Sequence, residues 1–475
     1  MSKNFYITTT APYVNAKPHI GFALEIIQAD VIARYKRIQG YKVAFGFGTD
    51  EHGIKIYRKA LSEKKDPKIY CDEYAKKYDQ LVQILDLSTT HFIRTTDPVH
   101  IKAAQEMWNL CFANGDIYKK NYQIKYCVGC ELEKTDSELV DNKCPTHPNL
   151  EIESYEEENY FFKFSKYQSE LLQMYQNNPS FVLPQNRLLE IKTFVQAGLQ
   201  DFSISRLKSK MPWGIDVPND PDHVMYVWFD ALVFYISTIG WPQNKTEFNT
   251  WWPVVQLAGK DNLRQQSAIW QAMLLSAHLP PSKQIFIHGF ITSNGKKMSK
   301  SLGNVIDPVE MVKKYGIDAV RYYLLREIPS NDDGDFSEQR FKELYNADLA
   351  NGLGNLIARV LTLGEKINLT VPENPEELIK LPQLLKNVEF DKIVESFSFN
   401  IALENIWNGF KSIDNQINID EPWKNLQKEL IVSYIKTIRS YVKYLRPFLP
   451  SLSEKIMQAT KGQIKKIPIL FPRII

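Results

Sequence analysis

Cysteine is scarce, with 5 residues in a chain of 475, which excludes the disulfide framework of a small secreted scaffold. Long apolar runs are missing as well. No uncharged stretch approaches the roughly 20 residues that a membrane helix needs, so no membrane association is expected. The first residues carry neither a basic-then-apolar leader nor an Arg- and Ser-rich transit segment, because Met1 to Asn4 lead straight into the strand-like Phe5-Tyr6-Ile7-Thr8-Thr9-Thr10. Nor is there a surplus of one charge: 58 basic residues stand against 55 acidic ones, so the total argues neither for nor against an anionic partner. The sequence holds no internal repeat and no low-complexity tract. These absences point to a cytoplasmic, globular chain with reduced thiols.

Apolar residues make up 44% of the chain and aromatics 12%, enough for sizeable cores, and the length suggests about three domains rather than one. Phe5 to Thr10 reads as a strand and Ala11 to Pro18 as a break. His19 to Tyr35 carries Leu24, Ile27, Val31 and Ile32 at helical spacing, and Tyr41 to Gly48 returns to strand. A second strand–helix–strand unit occupies Trp252 to Gly259, Leu263 to Leu279 and Gln284 to Gly289. The predicted fold class is α/β, a doubly wound parallel, Rossmann-like nucleotide-binding sheet split by an insertion and followed by an all-α helical bundle. The bundle is read from Leu349, Leu353, Leu356, Ile357, Val360 and Leu361, then Ile401 to Phe410, then Leu430 to Leu445. Expected divisions are 1–115 and 221–345 for the two halves of the sheet domain, 116–220 for the insertion and 346–475 for the bundle. Ligands of such sheets lie beyond strand carboxyl ends where strand order reverses, which singles out Thr10 to Gly21 and Gly259 to Leu263. From Ile431 onward nine basic residues accompany one acid, Glu454, a distribution that suits a phosphate backbone or a solvated helix face equally.

Three motifs carry chemistry. Cys127-x-x-Cys130 and Cys144-x-x-His147 are two close pairs of soft ligands, the set that closes a tetrahedron around Zn²⁺. With all four positions filled, a structural site is expected rather than a catalytic one, against the alternative of accidental spacing. Lys297-Met298-Ser299-Lys300-Ser301, with Gly295 before and Gly303 after, places two amines three residues apart on a loop, able to hold a polyphosphate and neutralise charge growing on it. His19-Ile20-Gly21-Phe22 sits at a strand-to-helix turn, where free backbone N–H groups meet phosphates. There His19 can donate to a phosphate oxygen, and Gly21 lets a flat adenine approach the backbone.

At these residues the chain resembles the class I aminoacyl-tRNA synthetases, with His19 to Phe22 and Lys297 to Ser301 standing at their two signatures, and within them the methionyl-tRNA synthetases of single zinc-knuckle type. Thr10-Ala11-Pro12-Tyr13, Gly48-Thr49-Asp50-Glu51-His52-Gly53, Ile204-Ser205-Arg206, Tyr226 to Leu232 and Gly259-Lys260-Asp261 extend the likeness over essentially the whole chain. The resemblance implies ATP-dependent ligation of L-methionine to tRNA(Met) through methionyl-adenylate. His19, Lys297 and Lys300 would act on the phosphates, Gly21 and Phe22 would help bind ATP, and Mg²⁺ would bridge its outer phosphates. Asp50 would pair with the substrate ammonium, and Ala11, Tyr13, Trp228, Ala231 and Tyr235 would wall the side-chain pocket, where aromatic rings suit a polarizable thioether. Arg206 is a weaker carry-over, an exposed arginine being the default. Asn355, Arg359 and Trp423 would read the anticodon by hydrogen bonding and stacking. The default assembly is a monomer.

Two positions depart from the pattern. Phe22 replaces the second histidine of the first signature, and Arg264-Gln265-Gln266 stands where the family has Arg-Phe-His. Leucyl, isoleucyl and valyl enzymes share the signatures but need a large editing insertion, for which about a hundred residues with one knuckle are too few. A cysteinyl enzyme would need zinc ligands dispersed around its pocket. A tRNA-binding paralogue without catalysis is the non-enzymatic alternative.

Overall fold

The computed structural model describes residues 3–130, 132–134, 138–298, 303–372, 385–386 and 388–474. Two compact units emerge. One comprises Met1–Pro18, Gly40–Gln80 and Thr89–Ile287, the other His19–Gln39, Leu81–Ser88 and His288–Ile475.

The first unit is built on a parallel six-stranded sheet. Strand β1 (Asn4–Thr8) leads through helix α1 (Ile20–Ile38) to strand β2 (Lys42–Thr49), and β1 and β2 pair in parallel from Asn4↔Lys42 to Thr8↔Gly46. On its other side β1 pairs with Val255–Gly259, at Ile7↔Val255 and Thr8↔Gln256. The full order is His91–Arg94, β2, β1, Val255–Gly259, Gln284–His288 and Val182–Leu183. Strand order therefore reverses beside β1, and the carboxyl ends there are Thr8 and Gly259. Val255–Gly259 is buried along its whole length, as is β2 after its first residue, which is why both read as continuous apolar runs rather than alternating ones. Val182–Leu183 lies in the stretch read as an insertion, yet pairs with the sheet at Ile285↔Val182; two residues are too few to leave a strand period in the sequence.

Within 116–220 a long antiparallel hairpin joins Ile117–Cys127 to Glu153–Phe162, in register from Ile117↔Phe162 to Tyr126↔Glu153. The cysteine-rich segment lies at its far end.

In the second unit α1 is buried along most of its length, Glu25, Gln28 and Asp30 included. The C-terminal helices include Asn355–Lys366, Phe399–Asp420, Lys428–Leu445 and Pro450–Ala459. Leu356, Ile357, Val360, Ile406, Trp407, Phe410, Ile438 and Tyr441 are buried, and Trp407, Phe410 and Tyr441 meet ring to ring at 5.8 Å. This part is not purely helical, as the patterns implied: Thr370–Val371 pairs with Gly462–Gln463, again too short to register as alternation.

Arg321 and Asp30 form a fully buried ion pair at 2.7 Å. Arg321 also donates to the carbonyls of Phe448, Pro447 and Leu85, while Asp30 also accepts from Arg34 and Ser88. A buried guanidinium is tolerated only with its donors satisfied in this way.

Candidate active site and metal centre

The candidate metal centre is assembled by the hairpin tip. The three cysteine sulfurs and an imidazole nitrogen of His147 all lie within 4.8 Å of one another. Cys130 Sγ is 3.4 Å from Cys144 Sγ and 3.2 Å from His147 Nδ1, and Cys127 Sγ is 3.8 Å from the same nitrogen. Thiolates bonded at about 2.3 Å to one tetrahedral Zn²⁺ stand about 3.8 Å apart, so these four atoms need only sub-ångström shifts to take the ion. Gly129 is required here, because a Cβ on it would meet the His147 ring at 2.5 Å. Burial pushes the Cys144 thiol up, yet hydrogen bonds from Cys130 and from the backbone N–H groups of His147 and Thr146 hold it down, to about 7.

In the first unit Tyr13, Asp50 and Trp228, three of the residues expected around methionine, meet beyond the end of β1. Tyr13 and Asp50 form an isolated parallel bridge: the Asp50 N–H donates to the Pro12 carbonyl at 3.0 Å and the Val14 N–H to the Asp50 carbonyl at 3.2 Å. Asp50 is 2% exposed. The Tyr13 ring meets Trp228 edge-on at 6.2 Å. Trp228 and Ala231 lie on the short helix Val227–Ala231, and Tyr235 on the next, Phe234–Ser237. Ala231 and Tyr235 are buried, and Ala11 packs against the core that contains Tyr235. Thr9 Oγ1, Trp228 Nε1 and Gln265 Oε1 are buried without a hydrogen-bond partner among the described residues, which leaves polar atoms for a ligand to satisfy.

Arg206 departs from its expected exposure. It is 4% exposed, 4.6 Å above the Tyr226 ring and 5.5 Å above that of Tyr126, and donates to Ser203 Oγ and the Ser205 carbonyl. The two rings that cover it come from elsewhere in the chain, so spacing alone could not reveal its burial.

Gln266 is also clarified. Its Nε2 donates to Tyr235 Oη at 2.6 Å, and its Oε1 accepts from Gln256 Nε2 at 2.9 Å, so the amide is built into the wall behind Tyr235. The usable signal was a pair of amides inside an otherwise apolar helical stretch. Glu51 went equally unassigned, although it is fully buried and gripped by both Nε and Nη2 of Arg94.

The phosphate-binding candidates belong to the second unit. His19 is the N-cap of α1, its Nδ1 accepting from the N–H groups of Gly21 at 3.1 Å and Phe22 at 3.4 Å. With Nδ1 accepting, the neutral ring carries its proton on Nε2. A Cβ on Gly21 would press to 3.1 Å from the His19 ring. Phe22 is 8% exposed. Lys297 is exposed on a hairpin, paired Thr292↔Lys297, whose turn is Asn294-Gly295. Asp335 secures that turn, accepting from the Gly295 N–H and the Thr292 hydroxyl. Lys300 lies outside the described residues.

Among the anticodon candidates, Arg359 pairs with Asp414 at 2.5 Å and Asn418 at 2.7 Å, and its guanidinium is 5.8 Å from the Trp423 ring. Trp423 is 48% exposed rather than a buried helix start. Asn355, one turn before Arg359, is exposed as well. Among the described residues no helix is long and apolar enough to cross a membrane.

Comparison with known proteins converges on one family. The family described as tRNA synthetases class I (M) matches residues 5–153 and 146–361. Methionine–tRNA ligase of Synechocystis sp. is 42% identical over 96% of this chain and 89% of its own length. That of Thermotoga maritima is 42% identical over 97% of this chain and 76% of its own. The structure of Mycobacterium tuberculosis methionyl-tRNA synthetase in complex with methionyl-adenylate superposes with a TM-score of 0.91, at 34% identity, covering 99% of this chain and all of that one. With the family spanning most of the chain and the fold shared end to end, this chain belongs to the class I tRNA synthetases of the methionine–tRNA ligase family.

Proposed function

We propose that the chain joins L-methionine to tRNA(Met), using ATP, by way of methionyl-adenylate. The methionine carboxylate attacks the α-phosphorus of ATP and pyrophosphate leaves. A hydroxyl of the terminal ribose of the tRNA then takes the acyl group and AMP departs. The observation that carries this reading is Asp50, a buried carboxylate bridged through its backbone to Tyr13, whose ring meets Trp228. A fixed anion beside aromatic walls suits an α-ammonium and a thioether together.

The roles follow from the chemistry. Asp50 holds the ammonium; Ala11, Tyr13, Trp228, Ala231 and Tyr235 enclose the side chain. His19, through Nε2–H, together with Lys297 and Lys300, stabilises the pentavalent phosphate, with Gly21 and Phe22 lining the adenine side. Mg²⁺ arriving with ATP supplies further charge neutralisation. Zn²⁺ on Cys127, Cys130, Cys144 and His147 stiffens the hairpin tip. Asn355, Arg359 and Trp423 read the anticodon. The domain reading assigns 1–115 and 221–345 to catalysis, 116–220 to the zinc-bearing insertion and 346–475 to tRNA, in a cytoplasmic monomer.

ATP–pyrophosphate exchange measured with each amino acid tests this. Exchange with methionine is expected; exchange with cysteine or leucine instead, or none alongside intact tRNA binding, overturns it.

A further inference from the structure

Asp230 is fully enclosed, and both its oxygens are engaged. Oδ2 accepts from His52 Nδ1 at 2.7 Å and Oδ1 from His100 Nε2 at 2.7 Å. His100 Nδ1 lies in turn 2.9 Å from Ser237 Oγ. Burial pushes the Asp230 carboxyl up, but the two imidazoles outweigh it and hold the group below the usual carboxylate range, so it is an anion at neutral pH. A buried carboxylate with two imidazole donors is an expensive way to hold a core together, since apolar residues of similar volume would do as well. What it adds is direction, because charge-assisted hydrogen bonds fix angles that apolar packing leaves free.

The partners show what is being directed. His52 is two residues past Asp50, and its backbone N–H reaches Asp50 Oδ1 at 3.4 Å. Asp230 itself sits between Trp228 and Ala231, and Ser237 is two residues past Tyr235. The chain His52–Asp230–His100–Ser237 thus ties the loop carrying Asp50 to both ends of the segment carrying Trp228, Ala231 and Tyr235. Glu51, between Asp50 and His52, is held as well: Trp213 Nε1 donates to the Glu51 carbonyl at 2.6 Å, the Trp213 ring meets His52 edge-on at 5.7 Å, and Arg94 grips the Glu51 carboxylate. His100 comes from Pro98–Ala113, where it shares a buried stripe with Ala104, Met107 and Cys111.

We infer that Asp230 is a positioning residue of the methionine site, holding Asp50 at a fixed spacing from the aromatic wall through His52 and holding that wall in place through His100 and Ser237. The inference rests on the methionine reading above. It deepens that reading by assigning the spacing between the ammonium partner and the side-chain pocket to a buried His–Asp–His relay. Misplacement of a binding group by about 1 Å can cost about 10²-fold in rate, so loss of the relay registers in substrate use and not only in stability.

The test uses the full-length protein in ATP–pyrophosphate exchange. Asp230→Asn keeps shape while removing the charge; the KM for methionine is expected to rise about tenfold or more, with the KM for ATP within about twofold of wild type. His100→Gln, remote from the pocket, is expected to shift the methionine KM in the same direction, and it stands in should Asp230→Asn fail to fold. Folding of both is followed by circular dichroism and thermal unfolding. A lowered melting temperature with an unchanged methionine KM in the folded variants makes the relay merely structural and overturns the inference. An equal rise in both KM values does the same. Wild-type protein that gives no exchange with methionine overturns the underlying functional reading, and the inference with it.

Discussion

The backbone N–H of Ile20 donates to the carbonyl of Ile306 at 3.0 Å. The first residue of α1, directly after His19, is thereby tied to the segment that follows the lysine loop, and Asn304 Nδ2 reaches back to the Lys297 carbonyl at 3.2 Å. Two motifs nearly three hundred positions apart share one compact unit, which suits joint action on one triphosphate. Lys297→Ala and Lys300→Ala are each expected to lower ATP–pyrophosphate exchange by about 10²- to 10³-fold, the scale for removing one preorganised donor to a developing charge. Binding of tRNA, followed by filter retention, should stay within about twofold.

Metal content is a separate readout. Cys127→Ser is expected to drop zinc from about one equivalent per chain to near zero by elemental analysis, and Cys130→Ser likewise, since each removes one of four ligands. Gly129→Ala is a sharper probe. It keeps every ligand but drives a methyl group into the His147 ring, so weakened zinc retention against a chelator is expected with the thiol count unchanged.

Trp423→Ala should leave amino-acid activation untouched while raising the KM for tRNA in aminoacylation. Loss of one base–aromatic stack is worth about 1–3 kcal/mol, or roughly 5- to 150-fold. An unchanged KM for tRNA would exclude Trp423 from the anticodon contact.

The Asp30–Arg321 pair sets an acid limit on stability. Burial pushes the Asp30 carboxyl up, but Arg321, Arg34 and the Ser88 donors outweigh it and hold the group below the usual range. The unfolded chain therefore takes up this proton at a higher pH than the folded one. The stabilisation is fully present above about pH 4 and is lost as pH falls through the lowered folded value. Asp30→Asn should flatten that acid limb in urea titrations between pH 5 and 3. Arg321→Met, which strands the carboxylate with only its remaining partners, should cost about 3–5 kcal/mol at neutral pH.

Much of this was legible in the linear order of residues, and for identifiable reasons. The candidate zinc ligands are two local pairs, and coordination geometry acts directly on spacing, so Cys127, Cys130, Cys144 and His147 stand out in the sequence and come together in the structure. α1 carries apolar residues at helical spacing, and β2 and Val255–Gly259 are long enough to read as continuous apolar runs. What stayed hidden is short or distant. Val182–Leu183 and Thr370–Val371 are too brief to carry a period. The burial of Arg206, the amide behind Tyr235 and the hydrogen bonds of Asp230 depend on residues brought together from far along the chain.

The sequence by itself marked the candidate metal ligands and the alternation of strand and helix, because these rest on residue identity, spacing and periodicity within a few turns of chain, and the resemblance carried by its two signatures implied the reaction class. Tertiary structure alone decided that strand order reverses beside β1, that His19 spends Nδ1 on capping its own helix, and that His52 and His100 close on one carboxylate. Hydrogen bonds and ion pairs act over a few ångströms, so which partners they join is settled only when packing has fixed which faces meet.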